Sequence, residues 1–324
     1  MKNIIIAVAA VLFLSQTSQA GIKVEKKPLS SVAKAAIVSV TIDNIGSDSA
    51  SDVAFMAAAG DHALAAYGAG LKALGKWEMQ DAPGIAELEA SLSDLASSPI
   101  TVKVLDALAA QNKLPGAVDP KDMMALAMAS MSGKKDKLEA LKAKLISSVA
   151  RELQTDLNDL RAKLAWPKAA AGIPYGLLNK RKDFTPKEDA LRTIIDLMLQ
   201  DYCAKNGLDG VLLVHLASLT GTPKDIRVIV GGNRVLSSLK VNPTVLLRNK
   251  AGEIAIDAGQ PRLDDLAPMK MAMPVFVGEK LPNGTFGNFK VDLDDPAGKV
   301  KAAYNELIKN TAEDLLKDLG KKLK

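Results

Sequence analysis

The chain has one cysteine, Cys203, and two histidines, His62 and His215, in 324 residues. A lone cysteine cannot close an intramolecular disulfide, so stability must come from a buried core rather than from covalent staples. Cys203 follows "LMLQDY" at helical spacing and reads as a small buried hydrophobe. So few sulfur and imidazole ligands leave no zinc-binding spacing, and Asp61-His62 alone does not make one. A Ser-His-Asp or Cys-His site would have to be built on one of the two histidines. Aromatic residues make up 4% of the chain, and its lysines are scattered among acids. That pattern excludes a nucleic-acid-binding surface.

Long apolar runs are missing too. The longest is Ile4 to Leu14, about eleven residues, whereas a membrane-spanning helix needs about twenty. It stands behind Lys2 and ahead of "SQA" and Gly21, with small residues where a signal peptidase needs them. The expectation is a signal peptide over 1–20, cleaved after Ala20, and a periplasmic or secreted protein with no transmembrane segment after its removal. No cysteine follows the run, so an amino-terminal lipid is not expected. Loss of Lys2 lowers the formal charge from +5 to +4, a mild basicity that points to no particular partner.

Glycine is present, but not in a cofactor-binding arrangement. In "NGLDGVLLVHLASLTGTPKDIRVIVGG" (206–232), Gly207 and Gly210 precede their strand, whereas a dinucleotide fingerprint needs G-x-G-x-x-G after a strand and at the mouth of a helix. Gly231-Gly232 follows a strand but lacks the third glycine. The motifs G-x-x-x-x-G-K-[ST] and G-x-S-x-G are also absent. These glycines are punctuation, and no cofactor is expected.

What remains is an α/β pattern, expected as a mixed sheet flanked by helices. "AAIVSVTID" (35–43) is β-branched and apolar and predicts a buried strand. A helix follows through "VAFMAAAGDHALAAYGAGLKAL", with Ser51 and Asp52 as candidate caps, and "GKWEMQD" suggests a second strand. Residues 85–165 read as wholly helical, an all-helical subdomain inserted between a first α/β part at 21–84 and a second at 166–324. Its long helix sets Leu138, Leu141, Leu145, Val149, Leu153, Leu157, Leu160 and Leu164 on one face, a stripe that must pack on neighbouring helices or on another copy. Thr185-Pro186-Lys187-Glu188 predicts a capping box, and Gly207 a left-handed helix stop. Strands are then expected in "GVLLVHLASL", "DIRVIVGG", "VNPTVLLRNKAGEIAID" and "MKMAMPVFV", before an amphipathic helix with a lysine-rich end.

Several groups could carry chemistry. Asp43 ends the first strand, a common place for functional groups in open α/β sheets, and with His62 or His215 it could form an acid–base site. Met269, Met271 and Met273 alternate, so their thioethers could hold Cu(I), which prefers soft ligands, or simply fill a core. Met123, Met124, Met128 and Met131 stand at helical spacing and read as packing. The acid pairs Asp264-Asp265 and Asp294-Asp295 fall in polar turns and read as solvated. The tail "GKKLK" offers at most a marginal peripheral contact with anionic lipid.

A strand near the mature amino terminus, "GLDGVLLVHL" after a helix, the "VLLRNKAGEIAID" hairpin and a terminal amphipathic helix together resemble the periplasmic α/β domains of the curli-secretion CsgG type and the TolB amino-terminal type. Asp209-Gly210-Val211-Leu212 and Lys250-Ala251-Gly252-Glu253 stand where those families carry their strand and turn motifs. The helical block at 85–165 has no counterpart in them. The resemblance implies an α/β fold and a non-enzymatic role in the bacterial cell envelope through protein contacts, and it transfers no catalytic residue. The expected function is therefore a binding or assembly protein with a protein partner or self-association. The apolar helical stripe and the Met-rich strand are its candidate contact surfaces. The alternatives are a carrier of an apolar small ligand, or an enzyme using Asp43, His62 or His215.

Overall fold

The β-branched run near the amino terminus forms the strand around which the molecule is built: β2, Lys34–Asp43, buried along almost its whole length. The computed structural model describes residues 21–45, 49–111, 113–115, 124–125, 128–129, 131, 135–180, 183–220, 227–228, 234–236, 239–259, 275–280, 286–291 and 299–324. The expected leader at 1–20, Met123, Gly231-Gly232, Met269, Met271, Met273 and both acid pairs lie outside the described residues. Among the described residues no helix is long and apolar enough to cross a membrane.

On one side β2 pairs in parallel with β5, Gly210–Thr220, in a register that sets Ile42 beside Leu216. The two halves of the chain are thus joined in one layer. Parallel neighbours require a crossover. Here it is long and includes, after β3 (Glu78–Gln80), the helices α3 (Ile85–Ser93), α4 (Pro99–Ala110), α5 (Lys135–Arg161) and α6 (Pro186–Asn206). On its other side β2 meets β3 at its start and β4, Leu164–Ala165, at its end. Beyond β5 the order continues through β8 (Leu239–Asn249) and β9 (Ile254–Gly259) to β1 (Ile22–Val24), completing a seven-stranded mixed sheet.

Two of the expected strands do not enter this sheet. The short strands β6 (Arg227–Val228), β7 (Arg234–Leu236), β10 (Val275–Lys280) and β11 (Phe286–Val291) make a separate antiparallel sheet. The reason is competition for ladder positions. β5 and β8 pair with each other along eleven residues, from Gly210↔Asn249 to Thr220↔Leu239, and β9 takes the other edge of β8. No slot is left between them.

Alternation along the strands gives the sheet two buried faces. One face presents Val40, Ile42, Leu212, Val214 and Leu216 to α2 (Ala50–Ala73) and α7 (Lys299–Lys322). The small residues of α2 permit a close fit: a Cβ on Gly70 would run into Leu316 Cδ1 of α7, and one on Gly60 would stand 2.9 Å from the backbone nitrogen of Pro167. The other face presents Val38, Val211, Leu213 and Leu246 to α6, and the apolar stripe of α5 closes the same cluster through Val149, Leu153 and Leu157. That stripe is therefore spent on internal packing between Leu145 and Leu157. It does not offer the contact surface expected of it, because the other helices and the connector at 166–178 already cover it.

Sequence punctuation places the ends of these elements. Thr185 caps α6 through a reciprocal capping box with Glu188, and Gly207 ends it in the left-handed region at φ 64°. Asp209 accepts hydrogen bonds from the backbone N–H groups of Ala33 and Lys34 and pairs with Lys250 at 2.9 Å. One carboxylate thus ties the starts of β2 and β5 to the β8–β9 turn. α2 is capped by Ser49, two residues ahead of the expected caps.

Candidate functional site

On the α6 face, cross-strand register puts three polar side chains in one row: Thr41 of β2 opposite His215 of β5, and His215 opposite Thr244 of β8. Thr41 Oγ1 lies 3.0 Å from His215 Nδ1, and Thr244 donates to the His215 carbonyl at 3.2 Å. Asp43, one step along β2, places Oδ1 3.7 Å from His215 Nε2. That is too long for a direct hydrogen bond, but close enough for the carboxylate to favour a proton on Nε2. The Thr41 hydroxyl also lies 3.5 Å from the Val214 carbonyl. The second Asp43 oxygen accepts from the Ser218 backbone N–H at 3.0 Å, so the carboxylate also closes the end of β5.

Tyr175, in the 3₁₀ turn Tyr175–Leu177, roofs this row. Its ring stacks on His215 with centroids 5.7 Å apart and planes 8° from parallel. Its hydroxyl reaches over β8 to donate to Asp257 of β9 at 3.2 Å. Burial, reinforced by the Asp257 carboxylate, pushes the Tyr175 hydroxyl pKa well above its usual range, so it is a fixed donor. Burial likewise holds the imidazole of His215 below its usual value, against the upward pull of Asp43.

The row has an acid–base partner set but no usable nucleophile. The hydroxyl beside the imidazole belongs to Thr41, which is 0% exposed, and no substrate can reach it. Ser218 turns its hydroxyl to Tyr304 of α7, 3.4 Å away, on the opposite face. The structure brings Asp43 and His215 together but not His62. That residue lies on α2, across the sheet, with Nε2 3.1 Å from the Asn305 carbonyl of α7. Among the described residues no group of three or more histidine, cysteine or acidic side chains could hold a metal. Cys203 is buried, and burial raises its thiol to about 11, so it is no thiolate nucleophile.

Asp43 and His215 were identifiable from strand position and residue type. Tyr175 was not, because it sits in the irregular stretch "PKAAAGIPYGLLNKRKDF", which carries no periodicity. Thr41, Thr244 and Asp257 could be found only through register, which a single strand does not encode.

A second feature lies on the helical side. Met124, Met128 and Met131 are helical in conformation and 68%, 66% and 89% exposed, while Ala129 between them is 3% exposed. Their spacing of four and three residues puts them on one helical face. This corrects their sequence reading as packing: Ala129, at the helical position opposite, faces the interior instead. Compared with known proteins, the chain matches no family model, no curated protein and no solved structure.

Proposed function

We propose that this chain is a non-enzymatic binding or assembly protein of the bacterial cell envelope, exported to the periplasm or secreted after cleavage behind Ala20, and acting through protein contacts. The observation that carries this reading is the exposed face of Met124, Met128 and Met131. Among the described residues of the helical block, Val102, 45% exposed, is the one other large apolar side chain left open, and three thioethers presented to solvent at one helical spacing are costly unless something covers them. Methionine suits such a surface because its unbranched, polarizable side chain adapts to partners of different shape. In this reading the helical block at 85–165 is an insertion into the α/β domain that carries the docking surface. The resemblance to the CsgG and TolB amino-terminal domains supports the same class of role.

The enzymatic alternative is less well served. The hydroxyl beside the imidazole is fully buried, and the two histidines stand on opposite faces of the sheet. Replacing all three methionines by serine tests the proposal in cells and in solution. The expected result is loss of a self-association or of a specific crosslinked envelope partner, with secondary structure and thermal midpoint unchanged. A strictly monomeric wild-type protein that captures no partner in cells would overturn it.

A further inference from the structure

We infer that the open groove between α4 and α6 is a binding site for a single-chain amphiphile with a carboxylate head. This site is independent of the methionine face. The groove encloses about 850 Å³, within the roughly 300–1,000 Å³ typical of small-molecule sites. Its floor is apolar, made by Val104, Leu108 and Phe184, and two cations, Lys113 and Arg192, stand on it. A hydrocarbon chain would cover the first and an anionic head would meet the second.

Arg192 is prepared for such a head. Its guanidinium lies over the Phe184 ring, 5.0 Å from the centroid, which fixes its plane. Its nearest carboxylate, Asp196, stands 3.9 Å from Nε, beyond hydrogen-bond reach, and Nε is buried with no acceptor. Asp196 is committed elsewhere, to Arg248 at 2.9 Å. Lys113 is exposed and makes no ion pair among the described residues. Among the described lining residues the one acid, Asp189, is exposed on the first turn of α6, so those residues carry two positive charges against one negative. A planar carboxylate fits a held guanidinium fork better than any cationic or neutral head.

The probe is dodecanoate, titrated calorimetrically below its micelle concentration into protein purified from an exporting host. Dodecyltrimethylammonium and butyrate serve as head and tail controls. Saturable binding of one dodecanoate per chain is expected, with neither control binding comparably. Lys113→Gln combined with Arg192→Gln should weaken dodecanoate at least about tenfold, and Asp189→Asn should tighten it about twofold to fivefold by removing the opposing charge. If the double variant folds poorly, Lys113→Gln alone, at an exposed position, should still weaken binding about threefold. Equal affinity for the ammonium amphiphile, charge variants that bind like wild type, or no saturation up to roughly 1 mM would overturn the assignment.

Discussion

Arg248 has a charged head on β8 and no water to put it in, since only 3% of the residue is exposed. It donates to the carbonyls of Leu178 and Gly252 at 3.1 and 2.6 Å and pairs with Asp196 of α6 at 2.9 Å. Burial pulls its pKa down while Asp196 pulls it up, the balance expected of a desolvated pair, and the second oxygen of Asp196 is buried with no hydrogen-bond partner. Arg248→Met should therefore cost about 3–5 kcal/mol in urea denaturation, leaving a half-buried carboxylate and two carbonyls without this donor. Adding Asp196→Leu should recover much of that loss. His215 gives the second expectation at this scale. Its imidazole pKa is depressed in the fold, mainly by burial, so the unfolded chain binds the proton more readily. That contribution to stability is present above the unfolded pKa of about 6.5 and is lost as pH falls below it. Between pH 7 and 5 the wild type should lose stability more steeply than His215→Gln, by at most about 1.4 kcal/mol per pH unit. Parallel pH profiles would show that the ring does not carry this linkage.

At the scale of elements, the clearest expectations concern ends and close approaches. Thr185→Ala removes the acceptor for the Glu188 N–H at the start of α6 and should cost about 1 kcal/mol. Gly60→Ala should also destabilise, although alanine favours helix by about 1 kcal/mol over glycine. The new Cβ would stand 2.9 Å from the Pro167 backbone nitrogen, which cannot swing aside as a side-chain tip could, and overpacking of that kind costs about 1–3 kcal/mol. Thermal unfolding of both variants checks the ordering, and a Gly60→Ala protein more stable than wild type would show that α2 has room there. These local signals were legible in the sequence: the capping box, the Gly207 stop, the β-branched run of β2 and the long helices all follow from residues within one or two turns of each other. The second sheet was not, because ladder partners are chosen by competition among strands far apart in the chain. The polar row was half legible for the same reason. Strand position marked Asp43 and His215, but only the Thr41–His215–Thr244 register and the fold of the 166–178 connector bring Thr244 and Tyr175 to them.

For the whole molecule, the decisive fact is that neither buried cluster belongs to one stretch of chain. The α2–α7 face joins Val40 and Ile42 from the beginning to Tyr304 and Leu319 from the end. The α6 face joins Leu92, Leu105 and Leu153 of the helical block to Ile194 and Leu213. A chain of this length commonly unfolds in stages, and an insertion with its own core would melt by itself. Shared cores instead couple the block to the sheet, so one transition is expected. The two tryptophans allow this to be read locally. Trp77 packs in the first cluster beside β3, whereas Trp166 lies under the Arg161 guanidinium at 4.8 Å, next to the end of α5. In the single-tryptophan proteins Trp77→Phe and Trp166→Phe, each remaining indole reports its own region, and fluorescence should give the same urea midpoint as far-ultraviolet circular dichroism within that protein. Midpoints that separate, with the Trp166 region opening first, would mean that the helical block folds on its own. Removal of residues 85–161 should then leave a stable α/β remnant, whereas coupled cores predict that the deletion exposes the α6 cluster and abolishes the cooperative transition.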